Sequence, residues 1–238
     1  MKKSKKRISK VRKKQKRKYT KAQRKRKMQR NIKMGFILLC LLAAILGVVK
    51  IVNPGFLAFD YFELKGEEID ASKPEIDVQL LTINPYSRPG IETGKINGIV
   101  VHYTANPGAS AKANRDYFEN LKDTHKTKTS SNFIIGLNGE IIQCVPTWEV
   151  AYASNDRNKD TVSIECCHPD KSGKFTKETY RSLVQLTAWL CMKFDLDEGD
   201  VIRHYDVTGK NCPKHFVEDE EAWKSFRQDI ANTLADAE

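Results

Sequence analysis

Residues 98–104, "GIVVHYT", are β-branched and apolar without interruption, the pattern of a buried strand, which should end near His102. Downstream, "SAKANRDYFENLK" (110–122) places Ala113, Tyr117 and Leu121 on one helical stripe. "NFIIG" and "EIIQCV" flank Leu137-Asn138-Gly139, a hairpin signal built on Asn-Gly. A further strand follows at 161–167, "TVSIECC". Thr176 can cap a helix running to about Phe194, because Tyr180, Leu183, Val184, Thr187, Leu190, Cys191 and Phe194 keep a helical period. "VIR" (201–203) is a short strand that delivers His204, and Trp223, Phe226, Ile230 and Leu234 mark a last amphipathic helix. Strands interleaved with helices predict one α/β domain over residues 78–238. Residues 53–77 mix acids, glycine and proline without sustained periodicity and read as a linker.

Upstream of the linker the pattern changes twice. Residues 34–49, "MGFILLCLLAAILGVV", carry no charge; with Lys50 snorkelling and Ile51-Val52 included, the stretch at 34–52 reaches the roughly 17–25 residues of a spanning helix. Asn53-Pro54-Gly55 then stops it. The rival is a cleaved signal peptide, but "VKIVNPGF" is a poor cleavage site. Residues 1–33 hold 19 Lys/Arg and no acid, so the arm repels itself and is expected to be disordered.

This division changes the meaning of the net charge of +11, because the other 205 residues carry 22 Lys/Arg against 30 acids, a net of −8. A basic run beside a membrane helix stays in the cytoplasm and meets anionic lipid heads. The expected topology is a single-pass cell-membrane protein with residues 53–238 outside. Nucleic acid is not the expected partner, since Tyr19 is the arm's one aromatic residue and a stacking platform is missing.

Candidate chemistry is concentrated in "RHYDVTGKNCP" (203–213). His204 and Cys212 are good zinc ligands, and the intervening loop can fold back. Of the five histidines, His102 stands at a predicted strand end and can be held rigidly; a lone histidine there is more often a satisfied core residue. His125, His168 and His215 read as solvated or surface groups. Together His102, His204 and Cys212 would give Zn2+ three protein ligands and leave a fourth position open, the catalytic pattern. Cys144 and Cys191 read as small buried apolar residues. Glu165 is an acid in an otherwise apolar strand, costly unless paired or used. Lys210, close to Cys212 in sequence, can reach the same centre; standing alone it would read as a solvated loop lysine.

"NGIVVHYTANPG", "TVSIECCHP" and "RHYDVTGKNCP", in that order and at those separations, resemble the zinc amidases of the N-acetylmuramoyl-L-alanine amidase type 2 family, over about residues 80–232. The family includes phage lysozyme-type amidases and peptidoglycan-recognition proteins. The resemblance implies a central mixed β-sheet flanked by helices, with zinc at the end of the sheet. It puts His102, His204 and Cys212 on the metal ligands, Glu165 on the general acid/base and Lys210 on the oxyanion-stabilising residue. The implied activity is hydrolysis of the amide between N-acetylmuramic acid and L-alanine in bacterial peptidoglycan, by a monomeric catalytic domain. Two departures stand out: Ser131 and Asn132 occupy positions where many relatives carry histidine or tyrosine, and Ala153 stands where many carry histidine. These positions usually face substrate or support the ligands. The alternatives are a non-catalytic peptidoglycan-binding module, whose members typically lose the cysteine ligand, and a zinc endopeptidase acting on peptide cross-links.

Overall fold

The computed structural model describes residues 69–237. The basic arm, the apolar stretch at 34–52 and the first part of the expected linker lie outside the described residues. Among those described, no helix is long and apolar enough to cross a membrane. Packed structure begins inside the stretch read as linker. Ile69 and Ala71 are buried, and β1 (Asp77–Val78) pairs with a strand more than sixty residues later in sequence.

The sheet has six strands in the order β1-β4-β3-β5-β2-β6. Its members are β1, β2 (Ile99–Tyr103), β3 (Phe133–Ile135), β4 (Ile141–Gln143), β5 (Val162–Cys166) and β6 (Val201–Arg203). All neighbours are parallel except β3 and β4, which form the Asn-Gly hairpin. Gly139 takes φ +83° in that turn, and a Cβ there would lie 2.9 Å from the Glu178 carbonyl oxygen, so both backbone and space require glycine. The sheet is thus mixed, with a parallel centre.

Helices cover the sheet. Ser110 caps α1 (Ala111–Thr124) by accepting from Ala113 N–H. The buried stripe of α1 is Ala111, Asn114, Phe118 and Leu121, not the expected Ala113, Tyr117 and Leu121. The reason is Asn114: its amide donates to the Ser110 carbonyl and to Cys167 Sγ, so a polar residue faces inward and turns the stripe, leaving Tyr117 exposed. α2 (Lys177–Phe194) lies against β2 and β3 and packs on α5 (Glu220–Ala235). Trp223, Phe226, Ile230 and Thr233 face inward on α5, while Leu234 is only half-buried. Two short helices, α3 (His204–Thr208) and α4 (Lys214–Glu218), flank the loop that carries Lys210 and Cys212.

Thr176 caps α2 as the sequence predicts. Its Oγ1 accepts from Thr179 N–H at 3.0 Å and donates to the Leu137 carbonyl at 2.7 Å. Thr176→Ala removes both bonds and should lower stability by about 1 kcal/mol. Urea unfolding should show a lower midpoint with an unchanged slope.

Candidate metal centre and active site

The site lies at the C-terminal end of the central strands, where parallel sheets place their ligands. β2 sits between β5 and β6. In this register His102 is opposite Glu165, so the two side chains leave the same face of the sheet from adjacent strands. Val101 is opposite Arg203, so His204, the next residue and the first of α3, emerges beside His102.

Cys212 returns to this point by a tight loop. Gly209 ends α3 with φ +76°, a conformation that favours glycine. The Tyr205 amide then donates to the Cys212 carbonyl at 2.9 Å and closes the loop. Arg203 holds the base of this region. Its guanidinium donates to Asp206, Glu220 and the Phe216 carbonyl and lies between the Tyr205 and Trp223 rings. One buried cation thereby ties β6 to α3, α4 and α5.

His102 Nδ1 lies 3.1 Å from His204 Nδ1 and 3.8 Å from Cys212 Sγ. The donor atoms of all three residues fall within 4.8 Å of one another, and all three residues are buried. Tetrahedral zinc with ordinary Zn–N and Zn–S bonds separates two nitrogens by about 3.3 Å and nitrogen from sulfur by about 3.6 Å. The two separations from His102 Nδ1, 3.1 and 3.8 Å, lie close to that spacing. Burial, the neighbouring His204 and Lys210 hold the His102 pKa well below the usual imidazole range, and burial and Lys210 lower that of His204. Both rings are therefore neutral near pH 7, the form that coordinates a cation. Burial pushes the Cys212 thiol up to about 12, with Glu165 adding to the effect while the Tyr103 amide and Lys210 oppose it. A cation at the trio would reverse this and release the thiol proton.

The outer nitrogens are also held. His102 Nε2 is 3.1 Å from Ser154 Oγ, and His204 Nε2 is 3.0 Å from Asn155 Oδ1. Sequence reasoning missed both partners. They begin a short 3-10 helix, Asn155–Lys159, in a loop that carried no periodic signal.

Glu165 is partly exposed as a residue, but its Oε2 is sealed from solvent and has no hydrogen-bond partner among the described residues. Burial raises its pKa from 4.5 to about 8, against an opposing pull from Lys210. Such a carboxyl can exchange a proton near neutral pH. Lys210 is exposed, and its charge acts on His102, His204, Glu165 and Cys212 alike.

The raised pKa has a consequence for stability. Between pH 4.5 and about 8 the folded chain keeps a proton on Glu165 that the unfolded chain has lost, so stability falls as pH rises through this window. In metal-free protein, the unfolding free energy of wild type minus that of Glu165→Gln should decline from pH 5 to pH 8 and level off above. A flat difference would show that Glu165 ionises normally.

Other expected positions differ from the sequence reading. His168 is not a surface group. It is 1% exposed, stacks obliquely on Tyr103 and shares its Nδ1 with the Asp170 carbonyl at 2.6 Å. His215 is half-buried, whereas His125 is exposed and ends α1. Ser131 and Asn132 are buried in the sheet's framework. The Asn132 amide donates to the Pro146 carbonyl at 3.0 Å, and its oxygen accepts from the Ser163 amide and hydroxyl. The Ala153 amide donates to Asn158 Oδ1.

The sequence profile of the N-acetylmuramoyl-L-alanine amidase family matches residues 92–215. Among curated proteins, the N-acetylmuramoyl-L-alanine amidase CwlL of Bacillus licheniformis is 36% identical over 164 residues, covering 64% of this chain and 45% of that protein. The amidase BlyA of Bacillus subtilis is 32% identical over 171 residues, covering 63% and 45% respectively. The chain thus spans about half the length of the curated relatives it matches. Among solved structures, a mutant endolysin from Bacillus subtilis superposes with a TM-score of 0.57 at 26% identity, covering 66% of this chain and 99% of the endolysin. The catalytic domain of XlyA gives the same TM-score, identity and coverage.

Proposed function

The chain belongs to the N-acetylmuramoyl-L-alanine amidase family, and from that premise we propose that it is a zinc-dependent hydrolase of the amide between N-acetylmuramic acid and L-alanine in peptidoglycan. The observation that carries the reading is the convergence of His102, His204 and Cys212 within 4.8 Å, with Glu165 opposite His102 on the next strand. His102 Nδ1, His204 Nδ1 and Cys212 Sγ would hold Zn2+. When bound, the ion supplies a Lewis acid for the scissile carbonyl and acidifies water.

The remaining chemistry belongs to the chain's own side chains. Glu165 accepts a proton from water as its oxygen attacks the carbonyl carbon. It then gives that proton to the departing amine nitrogen, which leaves the carboxylate ready for another cycle. Lys210 offsets the negative charge that grows on the carbonyl oxygen.

Digestion of purified peptidoglycan by the full-length chain, followed by mass spectrometry of the muropeptides, tests the reaction. Free peptides beginning with L-alanine are expected. Cut cross-links would instead show an endopeptidase, and retention without cleavage a binding module.

The reading extends to location. Residues 34–52 would anchor the chain in the cell membrane, with the basic arm in the cytoplasm near anionic lipids and the catalytic domain on the wall side. Protease added to intact protoplasts should then remove the domain and spare the arm. A mature chain beginning near residue 55 would reveal a cleaved signal peptide instead.

A further inference from the structure

The two outer contacts of the histidines are not equivalent. An amide oxygen only accepts, so the contact with Asn155 Oδ1 requires a proton on His204 Nε2. In neutral His204 this leaves Nδ1 as a lone pair, which faces His102 Nδ1 at 3.1 Å. The Ser154 hydroxyl against His102 Nε2 is different, because a hydroxyl can donate or accept. His102 therefore has two consistent arrangements. In one, Nδ1–H donates to His204 and Nε2 accepts from Ser154. In the other, Nε2–H donates to Ser154 and Nδ1 is a lone pair. Only the second offers both Nδ1 atoms to a cation.

We propose that Ser154 and Asn155 are unequal positioning residues: Asn155 holds His204 in one tautomer, while Ser154 lets His102 exchange tautomers when a metal ion binds. The proposal rests on the zinc reading above. The exchange conserves protons on the ring, since one leaves Nδ1 for solvent and one arrives at Nε2 from solvent. The Ser154 hydroxyl rotates from donating to accepting. The surrounding backbone is built to keep both groups in place. Asn158 Oδ1 accepts from the Ala153 amide at 3.0 Å and from the Ser154 amide at 2.5 Å. Asn155 is held at φ +52°, and Ser154 is 1% exposed.

Nitrogen-15 NMR of the histidine-labelled full-length chain reads the tautomers directly. In chelator-treated protein, His204 should carry its proton on Nε2 and His102 on Nδ1. One equivalent of Zn2+ should move the His102 proton to Nε2 and leave His204 unchanged. In chelator competition, Ser154→Ala should weaken zinc binding about 10–100-fold, the usual effect of losing such a partner. Ser154→Thr keeps a hydroxyl and should stay near wild type. Asn155→Gly keeps the left-handed backbone without the acceptor, so His204 should then populate both tautomers. A purely structural role for this loop would change the metal-free melting temperature but not the tautomers. A His102 proton on Nε2 with and without zinc overturns the proposal, as does a Ser154→Ala chain that binds zinc as tightly as wild type. A wild-type chain that binds no zinc overturns the metal reading and this proposal with it.

Discussion

Glu165→Gln is expected to lower turnover by about 10²–10⁴-fold, the usual effect of losing a positioned acid/base, while the chain keeps its fold and its zinc. The amide is nearly isosteric with the carboxyl, and Glu165 is not among the three clustered donors. Substrate binding should persist, so kcat falls and KM changes little, the mark of an interaction needed in the transition state. Stability should not suffer, because the carboxyl's Oε2 has no partner to lose among the described residues and its ionised form is disfavoured by burial. A structural ion-pair partner would give the opposite result, with a lower melting temperature and a normal rate per folded molecule. A zinc-replete Glu165→Gln chain with wild-type turnover would sink the assignment.

Cys212→Ala is expected to abolish stoichiometric zinc binding. It deletes one of three protein ligands, so affinity should fall by more than the roughly 10–100-fold typical of an outer partner. Elemental analysis after gel filtration is the direct test, and full zinc in the variant would remove Cys212 from the site. Thermal unfolding supplies a second readout. Zinc at 100 times its Kd should stabilise wild type by about 2.7 kcal/mol and leave Cys212→Ala unmoved. Cys212→Asp should retain part of the binding, because carboxylate oxygen also ligates zinc.

The strands and long helices were legible because each buries a continuous or periodic apolar set. β2, β5 and α2 lie within a residue of where the pattern puts them, and Thr176 caps as its position predicts. The three metal-binding candidates were legible because histidine and cysteine are chemically distinctive, with both histidines at the ends of strands and Cys212 on the loop that follows the second. What escaped was set by tertiary contact. Nothing local distinguishes Ser154 and Asn155 from ordinary loop residues until β2 and β6 bring the two imidazoles over them. His168 follows a strand and precedes proline, which suggests a surface turn, yet packing against Tyr103 buries it. Asn114 turns the face of α1 through a contact with Cys167, which is distant in sequence and so gives no local signal. Asn132 likewise holds the sheet to the 145–149 loop through its amide, a role that residue type alone does not reveal.

The spacing of the donors along the chain bears on when the site can form. His102 belongs to the second strand, whereas His204 and Cys212 follow the last one. A growing chain that has not yet reached residue 204 holds one donor of the three, and one that stops short of residue 212 holds at most two, however much of the sheet it has assembled. Because these contacts join distant parts of the sequence, they are among the most entropically demanding to close. Under the proposed function, metal uptake would be coupled to completion of the sheet, because a nascent or truncated chain lacks the three-donor cluster.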